Sequence, residues 1–152
     1  MKIDQFLSNQ HVMFERLPHR QAFTAQRIAQ LLHVPGREMA KCVVIKTEHG
    51  PVLAVLPATH RIDLECLRRE LGEHHAELAA ESDMGQMFPD CEPGAIPPFG
   101  SLYQVRTVMD ETLADDDEIV FEAQTHDEAI RMNCRDYLAV EQPRMASFAR
   151  QS

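Results

Sequence analysis

Between Cys91 and Gly100 the chain reads Cys-Glu-Pro-Gly-Ala-Ile-Pro-Pro-Phe-Gly, with three prolines and two glycines in ten residues. Each proline holds φ near about −65° and removes a backbone donor. Each residue ahead of a proline is pushed toward extended geometry. Gly94 and Gly100 admit φ > 0. The stretch is therefore a loop, and a stiff one. A surface connection needs no such stiffness. A loop that offers backbone N–H groups to a ligand gains from it, because fixed donors need not reorganise as charge develops. Gly94, Ala95 and Ile96 can each donate.

Ahead of the loop, residues 40–46 (Ala-Lys-Cys-Val-Val-Ile-Lys) read as a strand. Alternation puts Lys41 on one face with Val43 and Ile45, and Lys46 on the other. His49-Gly50-Pro51 makes a turn into a second strand, 52–56, and the two are expected to pair as a hairpin. The second strand, Val-Leu-Ala-Val-Leu, has no polar alternation and calls for cover on both faces.

Helices are expected over 3–9, over 25–32 with Thr24 as N-cap, and over 64–71 between an Asp63 cap and Gly72. Another is expected from Asn133, with Asp136 at N3, through Val140. A brief helix capped by Ser82 runs to Phe88, where Pro89 stops it. Further strands fall at 12–17, 76–80, 102–109, 119–123 and 129–132, and Pro143 opens a last short helix containing Met145 and Phe148. Interleaved strands and helices with hairpins describe an α+β fold, one domain over residues 1–152, with a mixed sheet and flanking helices.

The longest apolar run, Val52 to Leu56, is far too short to span a bilayer, and the Met-Lys-Ile-Asp-Gln start has no apolar signal core. No membrane association is expected, and a cytoplasmic location is. Cys42, Cys66, Cys91 and Cys134 form no C-x-x-C pair and read as free thiols. His74-His75 are adjacent but no ligand spacing surrounds them, so no metal or other cofactor is expected. Cys91, flanked by Asp90 and Glu92, is a poor thiolate, since both acids raise its pKa. Asp115-Asp116-Asp117 reads as a solvated turn.

The net charge of −9 is unevenly divided: residues 1–69 carry a net +4 and residues 70–152 a net −13. Screening over about 8 Å allows a local basic face on an acidic chain. Arg16, Arg20, Arg27, Arg37, Lys41 and Lys46 are the candidates for it, as they are for ordinary solvated positions.

The Ala40-Lys41 strand start and the Gly94-x-x-x-Pro98 loop together resemble the YbaK and prolyl-tRNA-synthetase-associated family of aminoacyl-tRNA deacylases. The resemblance extends to Thr24–Ala29, Val55-Leu56-Pro57-Ala58, Leu71-Gly72 and Thr125-His126, in that order. It implies a curved, mixed, barrel-like sheet and hydrolysis of the ester at the acceptor end of a mischarged tRNA, acting in trans. It implies Lys41 and Gly94 as catalytic residues, the ammonium gripping phosphate or carbonyl and the loop N–H groups meeting the oxyanion. Thr24, Ala95, Ile96, Pro98, Phe99, Gly100 and His126 are the implied substrate-binding residues, and Phe23, Met39 and Ile96 surround the implied pocket. The water-activating group in this family is the ribose hydroxyl of the tRNA, in keeping with the lack of a Ser-His-Asp set. A synthetase or an elongation factor is the implied protein partner. Where this chain has Gln124 the family more usually has glycine. A non-catalytic module that binds an amino acid or an aminoacyl-tRNA end uses the same residue types and stays open.

Overall fold

The computed structural model describes residues 1–152. In chain order the elements are α1 (Ile3–Asn9), β1 (Phe14–Pro18), α2 (Ala25–Leu32), β2 (Ala40–Thr47), β3 (Gly50–Pro57), β4 (His60–Ile62), α3 (Leu64–Leu71), β5 (Ala76–Leu78) and α4 (Glu81–Met87). After the proline-rich loop come a 3₁₀ turn (Gly100–Tyr103), β6 (Arg106–Asp110), a second 3₁₀ turn (Glu111–Asp115), β7 (Glu118–Glu122), β8 (Glu128–Asn133), α5 (Cys134–Glu141), β9 (Arg144–Ala146) and β10 (Ala149–Gln151).

Local chemistry sets the helix ends as expected. Thr24 accepts from the Arg27 N–H, Asp63 from the Cys66 N–H, and Asn133 from the N–H groups of Arg135 and Asp136. Gly72 closes α3 at φ 69. Ser82 is not a cap: it lies inside α4, which starts at Glu81 after Ala80, whose N–H is taken by the Asp83 carboxylate.

A five-stranded sheet has the order β5-β2-β3-β6-β9 and a three-stranded one the order β1-β8-β7; β4 and β10 pair separately. The β2–β3 hairpin is antiparallel, with Lys41 opposite Leu56, whereas β6 runs parallel to β3. The sheet is thus mixed, but it is not closed into a barrel. The backbones of the two larger sheets are joined by a single parallel bridge, Met39 with Val120, supported by a 3.0 Å bond from the Val120 N–H to the Glu38 carbonyl.

The faces of β3 are divided as its unbroken apolar run requires. Leu53 and Val55 enter the central core, where Ile119, Phe121, Ile130 and Met132 face them from the three-stranded sheet. Val52, Ala54 and Leu56 pack the other way, against Leu67 of α3 and Phe148. A third cluster lies under α2, whose Ile28 and Ala29 pack with Met39, Val120 and Ala129.

Two further expectations fail. Residues 102–109 are not one strand, because the 3₁₀ turn continues to Tyr103 and Gln104 sits at φ 59 before β6 begins. The segment after Pro143 is not a helix either. It forms β9, which takes the open edge of β6, and then β10 on β4. The buried carboxylate of Asp110 accepts the N–H groups of Phe148 and Ala149, both at 2.9 Å, and so fixes the bend between them. A helix over those residues would forgo both the edge ladder and this cap.

Candidate functional site

The strand β7 connects the Lys41 strand to the proline-rich loop. Its Val120 bridges Met39 at the start of β2, and two residues further along each strand stand Glu122 and Lys41. Just past the end of β7, the backbone of Gln124 holds the proline-rich loop twice. It donates to the Ala95 carbonyl at 3.0 Å and accepts from the Glu92 N–H at 2.8 Å.

The far end of the loop is anchored in the core. Phe99 is wholly buried, edge-to-face with Phe6, Phe121 and Tyr137, and the Tyr137 hydroxyl donates to the Pro98 carbonyl at 2.6 Å. Gly100 donates to Thr107 Oγ1, and a Cβ there would lie 2.4 Å from the Val105 carbonyl oxygen, so only glycine fits. Phe99, Pro98 and Gly100 hold the loop from behind rather than present a surface.

Of the three loop N–H groups available in principle, Ala95 spends its own on the Glu92 carbonyl at 2.9 Å. The N–H groups of Gly94 and Ile96 have no partner within the chain. Gly94 is exposed and sits at φ 85, the left-handed region that favours glycine. A rigid loop with two free donors separated by one residue can bind an oxyanion.

His126 lies behind Gly94. Its imidazole contacts the Pro93 carbonyl through Nε2 at 2.6 Å and Glu122 Oε1 through Nδ1 at 3.0 Å, while its backbone N–H donates to Glu92 Oε1 at 2.6 Å. Burial, more than any other influence, pushes the Glu122 carboxyl up to about 7; His126 opposes the shift and Glu92 adds to it. Phe23 packs on the imidazole in a tilted arrangement, centroids 4.9 Å apart and planes at 58°, yet is 68% exposed.

Sequence reasoning missed Glu122. The available signal was a carboxylate ending the apolar run Ile-Val-Phe, four residues before a histidine.

Gln124 adopts φ 76, so the position needs a left-handed backbone even though the residue is not glycine. That conformation costs on the order of 1–2 kcal/mol. The buried side-chain amide offsets it by accepting from the Ile3 N–H and donating to the Met1 carbonyl, Asp90 and the Tyr103 hydroxyl.

Lys41 is half-buried, and burial alone lowers its pKa from the usual lysine value; no carboxylate pairs with it. Lys46 is exposed and bonded to Asp83 at 3.4 Å. Arg16 is taken by Asp4 and Glu128, and Arg37 by Asp116 and Glu38. That leaves Arg20, Arg27 and Lys41 without a carboxylate. Arg20 and Arg27 line a hollow of about 500 Å³ together with Phe23 and Thr24. Thr24 is at once cap and lining, since its Oγ1 accepts from the Arg27 N–H at 3.1 Å. Met39 and Ile96 are buried in the core, so of the expected pocket trio Phe23 alone is exposed.

The ligand atoms of Glu48, His49 and Glu73 converge closely enough to hold a metal ion. The Glu73 oxygens, however, already meet His49 at 2.5 Å and Arg106 at 3.2 Å, and a guanidinium in that position disfavours a cation. No helix is long and apolar enough to cross a membrane.

Residues 19–140 match the family model of the aminoacyl-tRNA editing domain. A proline–tRNA ligase of Xanthomonas oryzae pv. oryzae is 32% identical over 91 residues, 60% of this chain and 16% of the ligase. That of Thermosipho africanus is 30% identical over 65 residues, 43% of this chain and 12% of the ligase. The chain thus spans a small part of these relatives. Among solved structures, a candidate trans-editing enzyme for prolyl tRNA synthetase superimposes with a TM-score of 0.84 at 21% identity, over 97% of this chain and 94% of that one. A hypothetical protein does so with a TM-score of 0.89 at 16% identity, over 99% and 100% of the two chains.

Proposed function

The chain belongs to the aminoacyl-tRNA editing domain family, and we propose that it hydrolyses the ester of mischarged tRNA in trans. The observation that carries this reading is the Gly94–Ile96 segment, whose two unpartnered N–H groups are held from both ends, by Gln124 and by the Phe99 anchor. The hydrolysis of an already activated ester needs a positioned water and a stabilised oxyanion more than it needs a covalent nucleophile.

In this mechanism the Gly94 and Ile96 N–H groups receive the developing oxyanion. The Lys41 ammonium, partly desolvated and free of any carboxylate, grips the terminal phosphate or polarises the ester carbonyl. The terminal base stacks on exposed Phe23, with Arg20 and Arg27 meeting phosphates in the adjoining hollow. The ribose hydroxyl of the substrate activates the water. The kinship with proline–tRNA ligases makes tRNA for proline the first acceptor to try.

The test is a deacylation screen of purified protein against tRNAs carrying wrong amino acids, with mischarged proline tRNA among them. Faster release than in buffer supports hydrolysis. Binding without release, for every substrate, would replace the enzyme by a binding module.

Neither metal nor thiol enters this mechanism. Burial raises the Cys91 thiol to about 11, and its sulfur lies 3.2 Å from the Tyr103 hydroxyl with Asp90 close by. Deacylation is expected to survive a chelator, and Cys91→Ser to retain most of the rate. Loss under either treatment moves the chemistry to a metal or a thiolate.

A further inference from the structure

The contacts of His126 contain a proton count. The Pro93 carbonyl only accepts, so the Nε2 atom 2.6 Å away must be the donor. Nδ1 then faces Glu122 Oε1 at 3.0 Å, and that contact is attractive only with a proton in it. Either a neutral carboxyl donates to the imidazole, or an imidazolium donates to the carboxylate. A bare carboxylate against a ring lone pair repels. The pair therefore holds one proton beyond the Nε2–H.

The carbonyl that His126 holds belongs to the same peptide unit as the Gly94 N–H. No peptide bond in the chain is cis, and in a trans unit C=O and N–H point in opposite directions. Holding the oxygen on His126 therefore turns the Gly94 N–H away from the imidazole, to where no group of the chain accepts it.

We propose that Glu122 and His126 form a proton-dependent latch that keeps the Pro93–Gly94 peptide turned with its N–H toward the substrate ester, Glu122 acting as a positioning residue. The proposal rests on the deacylase reading and deepens it. The surroundings fit a latch that retains its proton. The two side chains are 7% and 9% exposed, Phe23 packs against the ring, and Glu122 has no ion pair other than His126. The other titratable groups facing the pair are Glu92 from the loop and Cys42 from β2; Lys41, also from β2, makes no bond to it. Because the Glu122 carboxyl is raised, the latched form is present at low pH and is lost as pH rises through about 7. The imidazole then turns its one N–H to Glu122 and releases the Pro93 carbonyl, and the peptide is free to rotate.

The experiment follows the Gly94 amide and the His126 ring nitrogens by NMR on ¹⁵N-labelled protein between about pH 5 and about pH 9, a range bracketing histidine and a raised carboxyl. In the native protein the two sets of signals should move together with one midpoint. In Glu122→Gln, whose amide donates to Nδ1 without titrating, both should keep the latched position throughout. His126→Ala should leave the Gly94 amide unlatched at every pH. Hydrolysis of mischarged proline tRNA, less the uncatalysed rate, should fall roughly tenfold or more on the alkaline side in the native protein and stay flat in Glu122→Gln. A Gly94 amide that does not follow His126, or a Glu122→Gln protein that titrates like the native one, overturns the latch. Latch signals as expected with no tRNA cleaved at any pH support the latch and overturn the deacylase reading instead.

Discussion

Lys41→Ala is expected to lower deacylation about a hundredfold or more while leaving the protein folded. Removing one charge-assisted contact to a developing negative charge costs about 2–4 kcal/mol in the transition state. Lys41 suits that role physically. Burial already disfavours its charge, and no carboxylate within the chain supplies compensation, so an anionic ligand is the partner the site lacks. Lys46 is the internal control. It stands on the opposite face of β2, is exposed, and is bonded to Asp83. Its alanine variant should show a small, salt-sensitive loss. Circular dichroism of both variants separates a catalytic effect from misfolding. Equal, mild losses at the two lysines would mean a general basic surface, and the catalytic role of Lys41 would be wrong.

Phe99→Ala is expected to cost about 3–5 kcal/mol of stability, the usual range for removing a fully buried aromatic ring. For a chain of this size that corresponds to a fall in Tm on the order of 10 °C. The ring lies among Phe6, Phe121 and Tyr137, which belong to three separate elements, so its loss leaves a cavity that no single side chain can fill. It is also the residue through which the Gly94–Pro98 segment is tied to the core. Thermal melts of the native and variant proteins decide the matter. A variant melting within a degree or two of the native protein would show that the Tyr137–Pro98 bond and the Gly100 contacts carry the anchor without the ring. Phe23→Ala makes the contrast, because its ring is mostly exposed and should cost less than about 1 kcal/mol in stability.

Much of the local structure around the candidate site was readable before any fold. Three prolines among ten residues made 91–100 a stiff loop, and the fold places that loop between a core anchor and the backbone of Gln124. The caps at Thr24, Asp63 and Asn133 were readable because an N-cap is a contact between residues two or three apart. The same holds for the hairpin of β2 and β3, joined by a short turn. The C-terminal segment was not readable, because nothing near Pro143 in sequence reveals that β6 leaves an edge open or that Asp110 lies ready to cap the bend.

The sequence by itself determined which groups the site can contain: a lysine leading an apolar strand, a proline-stiffened loop with donors, a histidine after β7. Those properties belong to side-chain chemistry and local backbone restriction, and both act over a few residues. Tertiary structure alone decided which of these groups are free and which are taken. It consumed the Ala95 N–H in a turn and left those of Gly94 and Ile96 free. It buried Phe99 and exposed Phe23, and it neutralised Arg16, Arg37 and Lys46 while leaving Arg20, Arg27 and Lys41 unpaired. It also set Glu122 against His126 in a place where burial raises the carboxyl. Hydrogen-bond partners and desolvation depend on what lies across a few ångströms of space, and in a mixed sheet those neighbours come from strands far apart in the chain.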